Sequence, residues 1–202
     1  MAGSKALTGE HLIVVKKCLE DTTSILKKIN LDHIVDCGTL LGIIRENRLL
    51  PWDDDVDITI RRTDLKKVMK NRWRFWFKGY RTHVGKFKRD FENFKKGDIR
   101  IIKIQTKRWF FIKEYNVLDI FIKDLINGEY QMIVGGKRLV LQGIPKRFLD
   151  ETTQHEFDGK NYTIPKDYED YLEYIYGDWK TPVKDWDFTV DAKCNKEAYF
   201  KK

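Results

Sequence analysis

The 202-residue chain has only three cysteines and four prolines. No apolar run in it approaches the ~20 residues that a membrane-spanning helix requires. Cys18, Cys37 and Cys194 lie far apart, in an odd number and without CxxC spacing. That excludes a disulfide framework and a cysteine-rich zinc site, and fits a reducing compartment. His11, His33, His83 and His155 are scattered without metal-ligand spacing. No apolar stretch follows Met1-Ala2-Gly3-Ser4-Lys5, so no signal peptide is expected, and the second residue is not the glycine that myristoylation needs. These absences predict a soluble, cytoplasmic protein. Internal repeats, linkers and low-complexity tracts are also missing, so one domain over residues 1–202 is expected.

What is present is a globular composition, 42% apolar and 13% aromatic, which disorder does not allow. Charged residues reach 35% with a net charge of +8. Such a surface suits polyanions, anionic membrane faces or phosphorylated small molecules, without choosing among them.

Leu12, Val15, Leu19, Leu26 and Ile29 recur at helical spacing, with Thr8 placed to cap the helix. His33–Cys37 reads as a short buried strand, broken at Gly38-Thr39 before a short helix over Leu40–Arg45. Val56, Ile58 and Ile60 alternate with Asp55, Asp57 and Thr59, the pattern of a half-buried strand. Thr63 is a plausible cap for a helix over Asp64–Asn71. Further strands are expected at Ile99–Gln105, Trp109–Ile112 and Val117–Ile122. Gly135-Gly136 and Asp158-Gly159 mark two hairpins. A last helix starts near Pro165 or Asp167 and stops at Gly177. This order predicts an α+β fold around a mixed sheet with flanking helices, β-hairpins and a C-terminal helix. The aromatics of Arg72-Trp73-Arg74-Phe75-Trp76-Phe77 are expected in the core with solvated arginines between them, rather than as a stacking platform for single-stranded nucleic acid.

The chemistry concentrates between Asp36 and Ile60. Asp55 and Asp57 project from one side of their strand, and two adjacent carboxylates repel unless a cation lies between them. Oxygen ligands of this kind suit Mg²⁺ or Mn²⁺. Taken alone, Asp53-Asp54-Asp55 would be a solvated acidic turn. Two further features argue otherwise. Gly38-Thr39 stands between a strand and a helix, where a phosphate can approach backbone N–H groups and the positive end of the helix dipole. Asp119 interrupts the apolar strand Val117-Leu118-Asp119-Ile120-Phe121-Ile122, a costly position unless a cation or donors meet it. Cys37 is read as a small buried side chain at a strand end, not a nucleophile.

Gly-(Ser/Thr), a spacer, Asp-apolar-Asp-apolar and a later apolar-Asp-apolar strand resemble the nucleotidyltransferase superfamily. The run Gly38-Thr39-Leu40-Leu41-Gly42…Arg45…Pro51-Trp52-Asp53-Asp54-Asp55-Val56-Asp57-Ile58 more closely resembles the LicD/fukutin family, as do Tyr176-Gly177-Asp178-Trp179 and Pro182. The sequence departs in having Leu50 where isoleucine is usual. Between residues 72 and 112 nothing matches. The resemblance implies a nucleotidyltransferase-like fold and a phosphotransferase moving a phosphorylated alcohol, such as phosphocholine or ribitol phosphate, from a CDP-linked donor to a glycan hydroxyl. It also implies divalent ions held by Asp55 and Asp57, with Asp119 completing the metal site or helping to activate the acceptor hydroxyl, and Arg45 as a clamp on the donor's phosphates beside Gly38 and Thr39. Two alternatives stay open: addition of NMP to a small molecule, protein or RNA, and a non-catalytic basic module that binds RNA or an anionic glycan.

Overall fold

The computed structural model describes residues 6–108, 112–136 and 138–200. The chain runs α1 (Gly9–Lys28), β1 (His33–Val35), α2 (Cys37–Glu46), β2 (Val56–Arg61), a 3₁₀ turn (Arg62–Asp64), α3 (Leu65–Lys70), α4 (Trp73–Phe77), β3 (Tyr80–Lys86), β4 (Ile99–Arg108) and β5 (Ile112–Ile126). It continues through β6 (Glu129–Gly135), β7 (Arg138–Pro145), α5 (Arg147–Asp150), β8 (Thr152–Phe157), β9 (Lys160–Pro165), α6 (Tyr168–Tyr176) and β10 (Asn195–Phe200). The fold is α+β with a mixed sheet and flanking helices.

β5 is the spine. Residues 118–123 pair in parallel with β2, residues 112–121 pair antiparallel with β4, and its last turn-ward residues pair with β6. Among the described residues β3 pairs only with β4, at an edge of that half of the sheet. On the other half the order continues β6-β7-β10, and β8-β9 form a separate two-stranded hairpin. The long central strand is built from Val117, Leu118, Ile120 and Ile122, all buried, a run that only a strand covered on both faces accommodates. α1 closes the core with Val15, Cys18, Leu19 and Leu26, none of them solvent-accessible.

Both hairpins lie where turn residues place them, and Asp158 and Gly159 have φ of +55° and +70°, the left-handed pair that a tight two-residue turn requires. Several local readings change. Thr8 is the N-cap of α1, but its side chain makes no capping bond. Thr63 falls inside a 3₁₀ turn, and α3 begins at Leu65. α2 begins three residues early, at Cys37, because the Asp36 carboxylate caps it by accepting the Cys37 N–H. The expected strand at Trp109–Ile112 lies mostly outside the described residues. The aromatic stretch is a correction. Only Phe75 enters the core, while Trp73, Trp76 and Phe77 are 52%, 50% and 72% exposed. A five-residue helix has one inward face, and at 3.6 residues per turn it buries one ring of four.

Gly42 packs α2 against the loop that follows it. A Cβ there would lie 2.6 Å from the Arg48 carbonyl oxygen and 3.1 Å from the Leu50 nitrogen, both backbone atoms that cannot swing away. Gly42→Ala is therefore expected to cost about 1–3 kcal/mol by overpacking. The check is thermal unfolding, with the melting temperature lower by roughly 2–10 °C for a chain of this length.

Candidate active site

The site is assembled on β2 and the corner that precedes α2. The backbone of Asp57 is held from two sides: its N–H donates to the Thr39 hydroxyl at 2.8 Å, and its carbonyl accepts the Asp36 N–H at 3.1 Å. The Asp-Cys-Gly-Thr segment thus fixes the strand that carries the acidic residues. The corner itself is strained, with Cys37 at φ +51°, a left-handed conformation that a non-glycine residue adopts at a cost. Gly38 allows the closest approach. A Cβ on it would meet Asp53 Oδ2 at 2.6 Å, so the space that glycine opens is taken by the Asp53 carboxylate.

Parallel pairing of β2 with β5 sets Asp57 beside Asp119, and antiparallel pairing of β5 with β4 sets Asp119 beside Lys103. The result is a cross-strand row of two carboxylates and an ammonium on one sheet face. Lys103 Nζ donates to Asp119 Oδ2 at 2.5 Å. Asn116 Nδ2 donates to both Asp55 Oδ2, at 2.7 Å, and Asp119 Oδ1, at 2.8 Å. Asp55 lies one residue before β2 rather than in it, yet this amide ties it to Asp119. The sequence pattern therefore places Asp55, Asp57 and Asp119 where the structure brings them together. It did not point to Asn116 or Lys103, although a lysine in the apolar run Ile101-Ile102-Lys103-Ile104 was a visible signal of a buried partner.

Charge in this cluster is only partly compensated. Burial pushes the Asp55 carboxyl up to about 7, with Asp119 and Asp54 adding to the effect. Burial and then Asp55 and Asp119 push Asp57 well above the ordinary carboxylate range. Burial also lifts Asp53 to about 6, helped by Asp54. Beneath the cluster the opposite holds. The fully buried Asp36 is held below its usual value, because Lys123, Thr59 and Tyr171 outweigh the upward push of burial. Lys123 Nζ lies 2.8 Å from Asp36 Oδ2, Thr59 donates to the same oxygen and Tyr171 to the other.

The donor set of Asp55, Asp57 and Asp119 fits a hard divalent cation. Burial and mutual repulsion raise the Asp55 and Asp57 carboxyls, a cost that a bound cation would offset, and the buried Asn116 Oδ1, an oxygen beside two of the three carboxylates, has no hydrogen-bond partner. Among the described residues, no three His, Cys, Asp or Glu side chains already form a closed metal-ligand group. Asp119 instead spends one oxygen on Lys103 and the other on Asn116.

Arg45 sits elsewhere in the arrangement. Its guanidinium is 10% exposed, pairs with Glu46 at 2.7 Å and donates to the Trp179 carbonyl at 3.3 Å. That bond ties α2 to the Tyr176-Gly177-Asp178-Trp179 turn, so two separate motifs of the sequence meet in space. Tyr176 is within electrostatic reach of the corner. Burial raises its hydroxyl well above its ordinary value, and Cys37, Asp36, Asp57 and Asp53 add to the rise.

Residues 30–167 match the family described as LicD/FKTN/FKRP, nucleotidyltransferase domain. Over 58 residues, 29% of this chain, it is 34% identical to an uncharacterized protein of Rickettsia prowazekii, covering 22% of that protein. A second uncharacterized protein, from Rickettsia typhi, is 41% identical over 46 residues, which cover 23% of this chain and 15% of that protein. Over 74 residues, 37% of this chain, it is 26% identical to the lipopolysaccharide cholinephosphotransferase LicD of Haemophilus influenzae, covering 26% of it. The matched stretches thus span about a quarter or less of each relative's length. The chain belongs to the LicD family.

Proposed function

From that membership we propose that the chain transfers a phosphorylated alcohol, of the phosphocholine or ribitol-phosphate type, from a CDP-linked donor to a glycan hydroxyl. Asp55, Asp57 and Asp119 hold a divalent cation, Mg²⁺ or Mn²⁺. Bound there, such a cation neutralises the donor's phosphates and stabilises the charge that develops as the phosphoryl group moves. The observation that carries the reading is the cross-strand row in which Asp57 stands beside Asp119, with Asn116 joining Asp119 to Asp55. A domain that only bound RNA or glycan would gain nothing from three mutually repelling carboxylates on a rigid sheet.

The remaining residues take positioning roles. Thr39 and Asp36 hold the Asp57 backbone, so the carboxylate does not move when charge develops near it. The first turn of α2, at Gly38 and Thr39, offers backbone N–H groups and the positive dipole end to the donor's phosphates once the Asp53 side chain, which fills the space beside Gly38, swings aside. Arg45 reaches a phosphate by exchanging its Glu46 contact for one with the donor. Lys103, beside Asp119, is placed to neutralise charge on the far side of the row.

Two measurements test the reading. The first is a panel of CDP-alcohols and nucleoside triphosphates screened for Mg²⁺-dependent thermal stabilisation, since a ligand bound only by the native state raises the melting temperature. CDP-alcohols are expected to stabilise and to release CMP on turnover. A nucleotide left on the acceptor would instead favour NMP transfer. The second is Gly38→Ala. The methyl displaces only the end of the Asp53 side chain, so stability is expected to change by less than about 1 kcal/mol. Donor affinity is expected to fall several-fold, and unchanged affinity would remove Gly38 from the donor site.

A further inference from the structure

Ten arginines and lysines and no aspartate or glutamate occur between residues 65 and 89. Ten positive charges against a chain total of +8 leave the remainder at −2, so the whole basic excess belongs to this stretch. The same stretch carries three of the largest exposed apolar side chains, Trp73, Trp76 and Phe77. Phe77 packs edge-on against both, with centroids 5.7 Å from Trp73 and 5.1 Å from Trp76. The three rings therefore form one continuous apolar knob. Flanking it in the chain are the exposed Lys66, Lys67 and Lys70 of α3 and Arg81 of β3, while Lys78 at the end of α4 pairs with Asp21 at 2.9 Å. The knob is rigidly mounted, because Val68 and Phe75 from the same two helices are buried in the core.

We propose that this α3–α4 face docks onto an anionic lipid bilayer. Phe77 has no polar atom and is the most exposed of the large hydrophobic side chains among the described residues, so water is a poor solvent for it and an acyl-chain boundary a good one. Tryptophan rings, apolar with one N–H donor, belong at the headgroup level. Exposed lysines and an arginine on the elements flanking an apolar tip are the charge pattern that anionic headgroups complement. A single-stranded nucleic acid is the poorer occupant, because base stacking needs open ring faces, and here the edge-to-face contacts among the rings and the Arg74 guanidinium, 4.5 Å from the Trp73 ring centroid, already cover part of them. The inference rests on this surface alone and stands apart from the carboxylate site.

The test is flotation of the full chain with phosphatidylcholine vesicles, with and without phosphatidylglycerol. The protein is expected to float with the anionic vesicles only, and less as salt rises. Trp73→Ser combined with Phe77→Ser is expected to lower partition at least about tenfold. Lys66→Gln, Lys67→Gln and Lys70→Gln together are expected to lower it on anionic vesicles by a similar factor. Near-UV circular dichroism checks that the variants fold, and quenching of wild-type tryptophan emission by brominated acyl chains gives a readout that needs no variant. Equal binding to both vesicle types, undiminished binding by the ring variant, absence of quenching, or ring-dependent capture of single-stranded RNA with no vesicle binding would each overturn the proposal.

Discussion

Asp57→Asn is expected to fold as well as the parent and to lose turnover by about 10²- to 10⁴-fold, the equivalent of the several kcal/mol that a bound cation contributes to phosphoryl transfer. The amide keeps the shape of the side chain, and the Thr39 and Asp36 contacts to its backbone survive. What is lost is a charged oxygen ligand. The sign of the stability change follows from protonation. Burial and the neighbouring carboxylates raise Asp55 and Asp57 in the folded state, so the fold binds protons that the unfolded chain releases near pH 4. Metal-free protein should therefore lose stability as pH rises from about 4 through about 7. Asp57→Asn should flatten that decline. Thermal unfolding across this pH range without metal, paired with transfer rates at saturating Mg²⁺, checks both parts. A variant that melts lower and works normally would make Asp57 a structural residue.

Lys123→Met is expected to cost about 3–5 kcal/mol, the largest stability loss of any substitution considered, because it strands a buried carboxylate. Lys123 and Asp36 are 2% and 0% exposed and 2.8 Å apart. Adding Asp36→Asn should recover part of the loss, since the uncompensated charge then disappears while Thr59 and Tyr171 keep a hydrogen-bonding partner. The pH dependence runs opposite to that of the upper cluster. Asp36 is depressed in the fold, so its contribution is full above the unfolded value near 4 and is lost as pH falls through its lower folded value. Urea unfolding at neutral pH of the single and double variants measures both effects. A single variant within about 1 kcal/mol of the parent would mean that the pair contributes little.

How much of this was legible beforehand differs between the scaffold and the site. The long helix α1, the strand pair β2 and β5, both hairpins and the α+β class follow from apolar spacing and turn residues. The convergence of Asp57 with Asp119 was implied by two acid-bearing strands that apolar patterning places in the interior, and only the parallel register made it specific. Asn116 escaped notice because irregular pairing between β4 and β5 breaks the alternation that relates it to Asp119. Lys123 sits in an apolar strand with the parity of Asp119, but its partner, Asp36, is 87 residues away. No local pattern reports such a pair. The stretch from Arg72 to Lys86 was least legible. Its rings suggested core, and the geometry of a single helical turn instead turned three of them outward.

The most direct test of the central claim is Mn²⁺ binding followed by loss of the free-ion electron paramagnetic resonance signal, in the parent chain and in Asp57→Asn, each with CDP-alcohol present. The account predicts that the parent removes the free-ion signal saturably and that Asp57→Asn binds at least about tenfold more weakly, having lost one of three carboxylate ligands. Equal Mn²⁺ affinity in the two proteins, or no binding by the parent with donor present, would contradict it.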